Sequence, residues 1–296
     1  MKRNFFVFTL VLSIALFSCI SQRAPEPQLT GSSVWKVSRD GNTMFLGGSI
    51  HILRESDFPL PNEFALAFSR SDALVFEADI GGMLKPEVVA YLMSRMVMTD
   101  GQTLQTMLTP DTYKMLASAA TELGLPLEAV HNFKPPMVTT ILLTLQMQRL
   151  GITQLGVDFY YFDKAMNANK PVYFLESIES QINALVSMGQ GYEDDFVRHS
   201  LQDMQNTETF LTTIISDWRT GEAASTKAAL TSMYEDWPNI YQSLILNRRN
   251  AWMPQIEEFL DSGRTFFVIV GLAHMHGPDG ILRLLEDSGS SIEQLK

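Results

Sequence analysis

An α/β fold with a central mixed sheet, flanking helices and two large helical insertions is the architecture that this chain of 296 residues predicts. Short apolar runs with strand character alternate along the chain with longer segments in which apolar residues recur at helical spacing. Two of the helical segments are long, at residues 86–147 and 178–260, and no short-period repeat accompanies them. The runs with strand character lie at residues 34–37, 43–46, 73–76, 172–175 and 265–270.

The order of these elements predicts both kinds of strand pairing. The first two runs flank Arg39-Asp40-Gly41-Asn42, a turn signal that indicates an antiparallel hairpin. Later runs are separated by helices: one opens at Asn62 after two prolines, another follows Gly156, and the last covers residues 278–287. Strands that alternate with helices are typical of parallel pairing. A single domain over residues 34–296 is therefore predicted.

The start of the chain has the pattern of an export signal followed by a tether. A positively charged beginning precedes an apolar stretch at residues 5–17, which is shorter than the roughly 20 residues of a transmembrane helix. Leu16-Phe17-Ser18-Cys19 resembles a bacterial lipoprotein box, whose cysteine is lipidated and becomes the first residue after cleavage. We expect a signal peptide at residues 1–18 and a lipidated cysteine with a flexible tether at residues 19–33. An ordinary secreted protein with an incidental cysteine is the alternative.

The cysteine count bears on disulfide bonds, and the net charge bears on which partners the protein can bind. Cys19 is the only cysteine, so no disulfide within the chain contributes to the fold. The net charge of −11 repels phosphate backbones, and no basic stripe compensates for it, so nucleic acid is not an expected partner. The same charge disfavours attraction to anionic lipid. Attachment to the membrane is therefore expected through the lipid anchor, and the protein is expected at the bacterial cell envelope.

Two histidines follow strand runs in the same way. The segment "GGSIHIL" places His51 after the second run, and "GLAHMHG" places His274 after the last, each with a glycine three residues before the histidine. Glu77 and Glu176 directly follow two other runs. Ligands of open α/β sheets bind at the carboxyl ends of the strands. We therefore expect these four side chains to share one cleft.

The residue types of this cleft are compatible with a metal centre. Two neutral imidazoles and a carboxylate such as Glu77 would give a divalent ion three ligands and leave a position for water, whose pKa the ion would lower. The Gly-x-x-His spacing alone is weak evidence for a metal site, and hydrogen-bonded structural histidines are the alternative. Glu176 is a candidate base, and Asp158 either orients an imidazole or caps a helix. His276 is expected to cap the turn or to face solvent.

The order of motifs resembles the TraB/GumN family, which includes the Tiki proteases and is related to erythromycin-esterase-like and ChaN-like proteins. The resemblance covers nearly the whole mature chain and implies the α/β architecture of that family. Two positions depart from the common pattern: Ser49 stands where threonine is commoner, and Ala273 stands where glycine is frequent. The matching segments are "LGGSIHIL", "LPNEFALAFSRSDALVFEAD", "LGVDFYYFDKA", "KPVYFLESIESQ", "NRRNAWMPQI" and "FFVIVGLAHMHGPDGILRLLEDSG".

For function, the resemblance implies a metal-dependent hydrolase, specifically a peptidase acting on a peptide or protein at the cell envelope. The roles of the family carry over to His51, Glu77 and His274 as ligands of a divalent metal ion, for which zinc, manganese and cobalt are all suitable. Glu77 and Glu176 would take part in catalysis, with Glu176 assisting proton transfer. Arg249, in an Arg-Asn pair typical of the family, would hold a substrate carboxylate or an oxyanion, or would form a buried structural salt bridge.

Two other functions remain open from the sequence. One is a non-catalytic envelope lipoprotein whose cleft binds or sequesters a peptide or signal. The other is a metal-independent hydrolase of esterase type that uses a histidine and a carboxylate. The sequence has no Gly-x-Ser-x-Gly nucleophile elbow to support a serine enzyme.

Overall fold

A computed structural model of the chain describes residues 31–152 and 156–296. The predicted signal peptide, the predicted lipidation site at Cys19 and most of the predicted tether lie outside the described residues. In the part of the chain that is described, no helix is both long and apolar enough to span a bilayer.

One mixed sheet forms the centre of the described domain, which confirms the predicted α/β fold. Its six strands have the order β4-β3-β5-β2-β1-β6. The pairs β2–β5, β5–β3 and β3–β4 are parallel, whereas β1 is antiparallel to both of its neighbours. The strands are β1 Val34–Arg39, β2 Asn42–Ser49, β3 Ala73–Phe76, β4 Val172–Phe174, β5 Phe266–Gly271 and β6 Ser291–Gln294.

The hairpin between β1 and β2 agrees with its turn signal. Arg39 pairs with Asn42, and the two residues between them, Asp40 and Gly41, have φ values of 49° and 84°. Positive φ at both central positions is the backbone of a two-residue hairpin turn, which glycine and aspartate tolerate. Strand β6 was not predicted; it pairs with β1 and closes that edge of the sheet.

Helices cover the sheet and fill the two predicted insertions. In the described residues they are α1 Asn62–Arg70, α2 Ile80–Met83, α3 Pro86–Met96, α4 Leu104–Met107, α5 Pro110–Glu122, α6 Pro135–Arg149, α7 Val157–Asn167, α8 Ile178–Val186, α9 Glu193–Met204, α10 Thr207–Thr220, α11 Ala224–Asp236, α12 Pro238–Tyr241, α13 Asn247–Asp261, α14 Leu272–Met275 and α15 Ile281–Asp287. Helix α15 begins three residues later than predicted, because His274 lies in the short helix α14 and a turn follows it.

The buried apolar side chains form two large groups. The first fills the space between the sheet and its helices, with Phe64, Tyr161 and Phe267 in mutual ring contact. The second lies within the helical insertions, where α4, α5 and α6 pack with α9 around residues such as Leu116 and Val197. The sheet and the first insertion therefore have separate interiors, and the site described below belongs to the sheet.

A π-helical segment, Gln242–Leu246, joins α12 to α13 without a break. A π turn inserts an extra residue into a helix and changes the direction in which the following side chains point; such turns are frequent at functional sites. Arg248 and Arg249 follow this segment immediately, in the first turn of α13.

Residues 31–33, which the sequence analysis assigned to the tether, contact the folded domain. Ser32 and Ser33 are fully buried. The N–H of Gly31 donates to Glu63 Oε1 at 2.9 Å, and the N–H of Gly48 donates to the carbonyl of Ser33 at 2.8 Å. These short residues fit between β2 and the surrounding helices, so the part of the chain fixed by the fold includes residues 31–33.

Candidate active site

The carboxyl ends of four parallel strands bring the candidate residues to one edge of the sheet. Register places Ser49, the last residue of β2, beside Gly271 of β5, and Phe76 of β3 beside both Ile269 and Phe174. The side chains that follow these ends therefore project from adjacent positions.

Glu77 is buried directly after β3, with only 7% of the residue exposed. Its Oε1 accepts a hydrogen bond of 2.6 Å from the Gly271 N–H, and its Oε2 accepts one of 2.6 Å from Arg248 Nη2. Burial would raise the pKa of Glu77, but the positive charge of Arg248 and the hydrogen bond from the Gly271 N–H oppose burial and lower that pKa. The carboxylate is therefore ionised at neutral pH.

Arg248 joins the two buried glutamates. Its Nη2 lies 2.7 Å from Glu176 Oε1 as well as 2.6 Å from Glu77 Oε2, and its Nε donates to Glu176 Oε2 at 3.1 Å. Its Cζ lies 4.7 Å from the centre of the Trp252 ring. Burial opposes the charge of Arg248, but the two carboxylates reverse this and raise its pKa. A permanent guanidinium cation thus neutralises part of the negative charge of the site.

His51 is held by a carboxylate on the neighbouring helix. Its Nδ1 lies 2.9 Å from Asp158 Oδ2, and Asp158 Oδ1 accepts a hydrogen bond of 2.9 Å from the Ser49 hydroxyl. Gly156 makes this arrangement possible, because a Cβ there would lie 2.3 Å from the backbone carbonyl of His51. The His51 side chain is 56% exposed, so Nε2 is open to a ligand. Desolvation by the neighbouring protein lowers the pKa of His51, but the charge and hydrogen bond of Asp158 outweigh it and raise this pKa to about 9.

His274 is the buried imidazole of the site, with 3% of the residue exposed. Its Nε2 lies 3.5 Å from Arg248 Nη1, and its ring centre lies 4.5 Å from that of Trp252. Burial is the largest cause of a pKa lowered to about 3, so the imidazole is neutral. Its Nδ1 is buried and makes no hydrogen bond with any described residue.

Three of the predicted side chains meet in front of Gly271. A methyl group added to this glycine would lie 3.2 Å from Glu77 Oε1, 3.4 Å from His51 Nε2 and 3.7 Å from His274 Cδ2. His51 and His274 are far apart in the chain but face the same small space, together with Glu77. An imidazolium at His51, a neutral imidazole at His274 and an ionised Glu77 give this space both proton donors and acceptors.

Of the two adjacent arginines, Arg248 contacts the site and Arg249 forms a buried ion pair outside it. Arg249 is completely buried, and its Nη1 lies 2.9 Å from Asp279 Oδ1, in the ion-pair arrangement that was the structural alternative for this residue. Arg248, which was not selected from the sequence, is the arginine that contacts Glu77 and Glu176. The Arg-Arg-Asn segment was the available signal, but the sequence did not show which arginine faces the sheet edge.

The remaining histidines lie apart from this cluster of contacts. His276 was expected to cap the turn or face solvent; instead it is 8% exposed and packs edge-on against Trp35, with ring centres 5.5 Å apart. His199 packs against Trp237 in the helical insertions, and His131 hydrogen-bonds the backbone carbonyl of Glu128.

The fit of the site to a divalent ion can be judged from its donors. His51 Nε2, oriented through Asp158, has the form of a metal-binding imidazole with a carboxylate partner. However, within residues 31–152 and 156–296 no three His, Cys, Asp or Glu side chains are placed to hold one ion together. Both oxygens of Glu77 already accept hydrogen bonds, one of them from a cation. As arranged, the residues do not fit a three-ligand metal site.

Comparison with known proteins gives one family and two relatives. The family model described as TraB/PrgY/gumN family matches residues 33–294. The protein named "Uncharacterized protein YbaP" from Escherichia coli (strain K12) is 24% identical over 254 residues, which are 84% of this chain and 90% of that protein. Its namesake from Shigella flexneri is 24% identical over 242 residues, 80% and 86% of the two chains. No solved structure gives a significant match.

Proposed function

The chain belongs to the TraB/PrgY/gumN family, and from this premise we propose that it is a hydrolase of the bacterial cell envelope that cleaves a peptide or protein. The observation that carries the proposal is the His51–Asp158 pair, whose free imidazole nitrogen opens toward the buried Glu77, Arg248 and His274. A histidine oriented by a carboxylate, next to a fixed cation, is the combination required to move a proton and stabilise an oxyanion.

The reaction follows from the roles of these groups. Neutral His51 takes a proton from water as the water oxygen bonds to the scissile carbonyl carbon, and the carbonyl oxygen becomes an oxyanion. Arg248, the cation of the site, stabilises that oxyanion. His51 then returns the proton to the leaving nitrogen as the C–N bond breaks. Glu77 and Glu176 fix the guanidinium through the hydrogen bonds described above.

The pH dependence of this mechanism has a definite sign. Only the neutral imidazole accepts a proton, and Asp158 raises the pKa of His51 to about 9. Activity should therefore rise as the pH increases through neutrality toward that value.

A metal-dependent peptidase is the second candidate, and the convergence of His51, Glu77 and His274 on the space before Gly271 favours it. These three side chains would hold a zinc, manganese or cobalt ion once Arg248 had moved away from Glu77. The ion would polarise the substrate carbonyl and make its bound water more acidic.

The test measures cleavage of a peptide library by the full-length protein, before and after chelation. Cleavage that is lost in His51→Gln, kept in the exposed control His131→Gln and unaffected by chelation supports the first mechanism. Cleavage that chelation abolishes and a divalent ion restores would move the conclusion to the metal-dependent peptidase. Peptide binding that needs His51 but never leads to cleavage would identify a non-catalytic binding protein and refute a hydrolase.

Location at the envelope is a separate part of the proposal and rests on the lipoprotein-like segment ending at Cys19. Wild-type protein should incorporate labelled fatty acid and fractionate with membranes. Cys19→Ser should lose both properties, because the apolar stretch before it is too short to anchor the protein alone. A wild-type protein without label would contradict lipidation without affecting the proposed chemistry.

A further inference from the structure

An open cavity of about 550 Å³ lies outside the active site, between the second helical insertion and the turn that follows α14. Helix α11 lines it with Leu230 and Tyr234, and α12 and the π-helical segment line it with Tyr241 and Leu246. Asp279, in the turn, completes the lining. Sites for small molecules have volumes of about 300–1,000 Å³ and mostly apolar and aromatic walls with a few polar groups, and this cavity has both properties.

The charges around the cavity leave one cation without a partner. Asp279 is neutralised, because its Oδ1 lies 2.9 Å from Nη1 of the buried Arg249 and accepts a hydrogen bond of 3.1 Å from the Tyr241 hydroxyl. Lys227 lines the cavity, is exposed, and forms no ion pair within the part of the chain that the structure describes. The cavity therefore has an excess positive charge, although the chain has a net charge of −11.

An aromatic wall faces the same space. The Tyr234 residue is 61% exposed, and its ring packs edge-on against that of Tyr241, with ring centres 5.4 Å apart. Tyr241 itself is buried and packs with Leu230 and Ile245 behind that ring. A ring that is supported on one side and exposed on the other is suited to pack against the apolar part of a ligand. The π-helical segment in the wall supports a binding role, since such segments are frequent at functional sites.

We propose that this cavity binds a small carboxylate that carries an aromatic or apolar group. The carboxylate pairs with Lys227, and the apolar part packs against Tyr234 and Leu246. The end of a peptide and a fatty acid both have this chemistry. The site does not depend on the proposed hydrolysis, because none of the residues that line it takes part in that reaction.

Calorimetric titration of the full-length protein with three probes tests the proposal. N-acetyl-phenylalanine represents the end of a peptide, octanoate represents a fatty acid, and N-acetyl-phenylalaninamide has the body of the first probe without its charge. Wild type should bind one of the two carboxylates with a Kd on the order of 1 mM or below. It should bind the amide about fivefold more weakly than N-acetyl-phenylalanine. The carboxylate that binds more tightly identifies the class of ligand.

Variants of the cavity wall locate the binding. Lys227→Met keeps the length of the side chain without its charge, so it should weaken carboxylate binding about fivefold and leave amide binding unchanged. Lys114→Met removes the charge of an exposed lysine on α5 and is the matched control. Thr231→Trp, at an exposed position of the wall, should fill the cavity and abolish binding of all three probes. Circular dichroism shows whether Thr231→Trp is folded; if it is not, Tyr234→Ala replaces it and should weaken binding of the phenylalanine probes.

Three results would overturn the proposal. They are a wild-type protein without saturable binding of either carboxylate, equal affinity for N-acetyl-phenylalanine and its amide, and a folded Lys227→Met that binds the carboxylates as wild type does. His51→Gln should bind the probes as wild type does but lose peptide cleavage, so failure of this site and failure of the proposed hydrolysis are distinguishable.

Discussion

Asp194→Asn should destabilise the protein at neutral pH and have little effect in acid. Asp194 lies in the first turn of α9, and its carboxylate links that helix to the start of α5. Its Oδ1 accepts a hydrogen bond of 2.7 Å from the Thr109 N–H, and its Oδ2 accepts bonds from the Thr112 hydroxyl at 2.8 Å and from Arg198 Nη2 at 2.9 Å. Asparagine has nearly the same shape without the charge, so the variant resembles the protonated carboxyl.

The size of the effect follows from the pKa. Burial would raise the pKa of Asp194, but the hydrogen bonds, first that from the Thr109 N–H, outweigh burial and lower it from 3.8 to about 2. Because one pKa unit corresponds to about 1.4 kcal/mol, the full shift is worth about 2.5 kcal/mol. The side chain is 24% exposed, and solvent screening reduces the expected loss in free energy of unfolding to about 1–2 kcal/mol.

The sign of the pH dependence follows from whether the folded or the unfolded state has the lower pKa for Asp194. The native state does, so the ionised carboxylate stabilises the fold fully above a pH of about 4, and this contribution disappears as the pH falls to about 2. Urea denaturation of wild type and variant from neutral pH to about pH 2 measures the difference. Asp195→Asn, which removes the same charge from an exposed neighbour, is the control. A difference that is independent of pH, or equal in the control, would refute this reasoning.

Three further predictions concern the sheet and its site. Trp218→Phe should cost about 2 kcal/mol of stability in chemical denaturation, because the carbonyl of Gly48 loses its buried hydrogen bond of 2.7 Å from the indole N–H; an unchanged midpoint would contradict this. Gly271→Ala places a methyl 3.2 Å from Glu77 Oε1 and should reduce peptide cleavage about tenfold or more with little loss of thermal stability. Gly47→Ala, whose methyl group would lie 2.8 Å from the ring of Phe267 in the core, should instead lower thermal stability. An equal loss of stability in the two variants would contradict the prediction. Asp158→Asn should lower the pKa of the neighbouring imidazole from about 9, as followed by NMR titration; the same pKa in wild type and variant would exclude the proposed pairing.

The sequence predicted the hairpin and the parallel strands well, because each of these five strands has a local signal. The Asp40-Gly41 turn fixed the hairpin, and apolar runs ending at Glu77 and near His274 marked the buried parallel strands. Strand β6 gave no such signal. Its residues Ser291–Gln294 include a single apolar side chain, and the strand exists because it pairs with β1 at an edge.

The choice between Arg248 and Arg249 could not be made from the sequence. Successive residues of a helix point about 100° apart, so the two side chains leave α13 in different directions. Which of them faces the sheet depends on the rotation of the helix, and the π-helical segment before it changes that rotation by one residue. Hydrogen bonding across the sheet edge, which involves residues far apart in the chain, then selects Arg248 as the partner of Glu77.

The chain enters the domain close to the candidate site, at the start of β1. Val34, at the start of β1, pairs with Gly47 near the end of β2, so the entry point lies on the same edge of the sheet as His51. About 12 residues separate Cys19 from Gly31, and a fully extended chain of that length spans at most about 40 Å. If Cys19 carries the proposed lipid, the point where the chain enters the domain would lie within about 40 Å of the bilayer. Under that proposal, polypeptide segments close to the membrane surface would be the substrates that the site could reach.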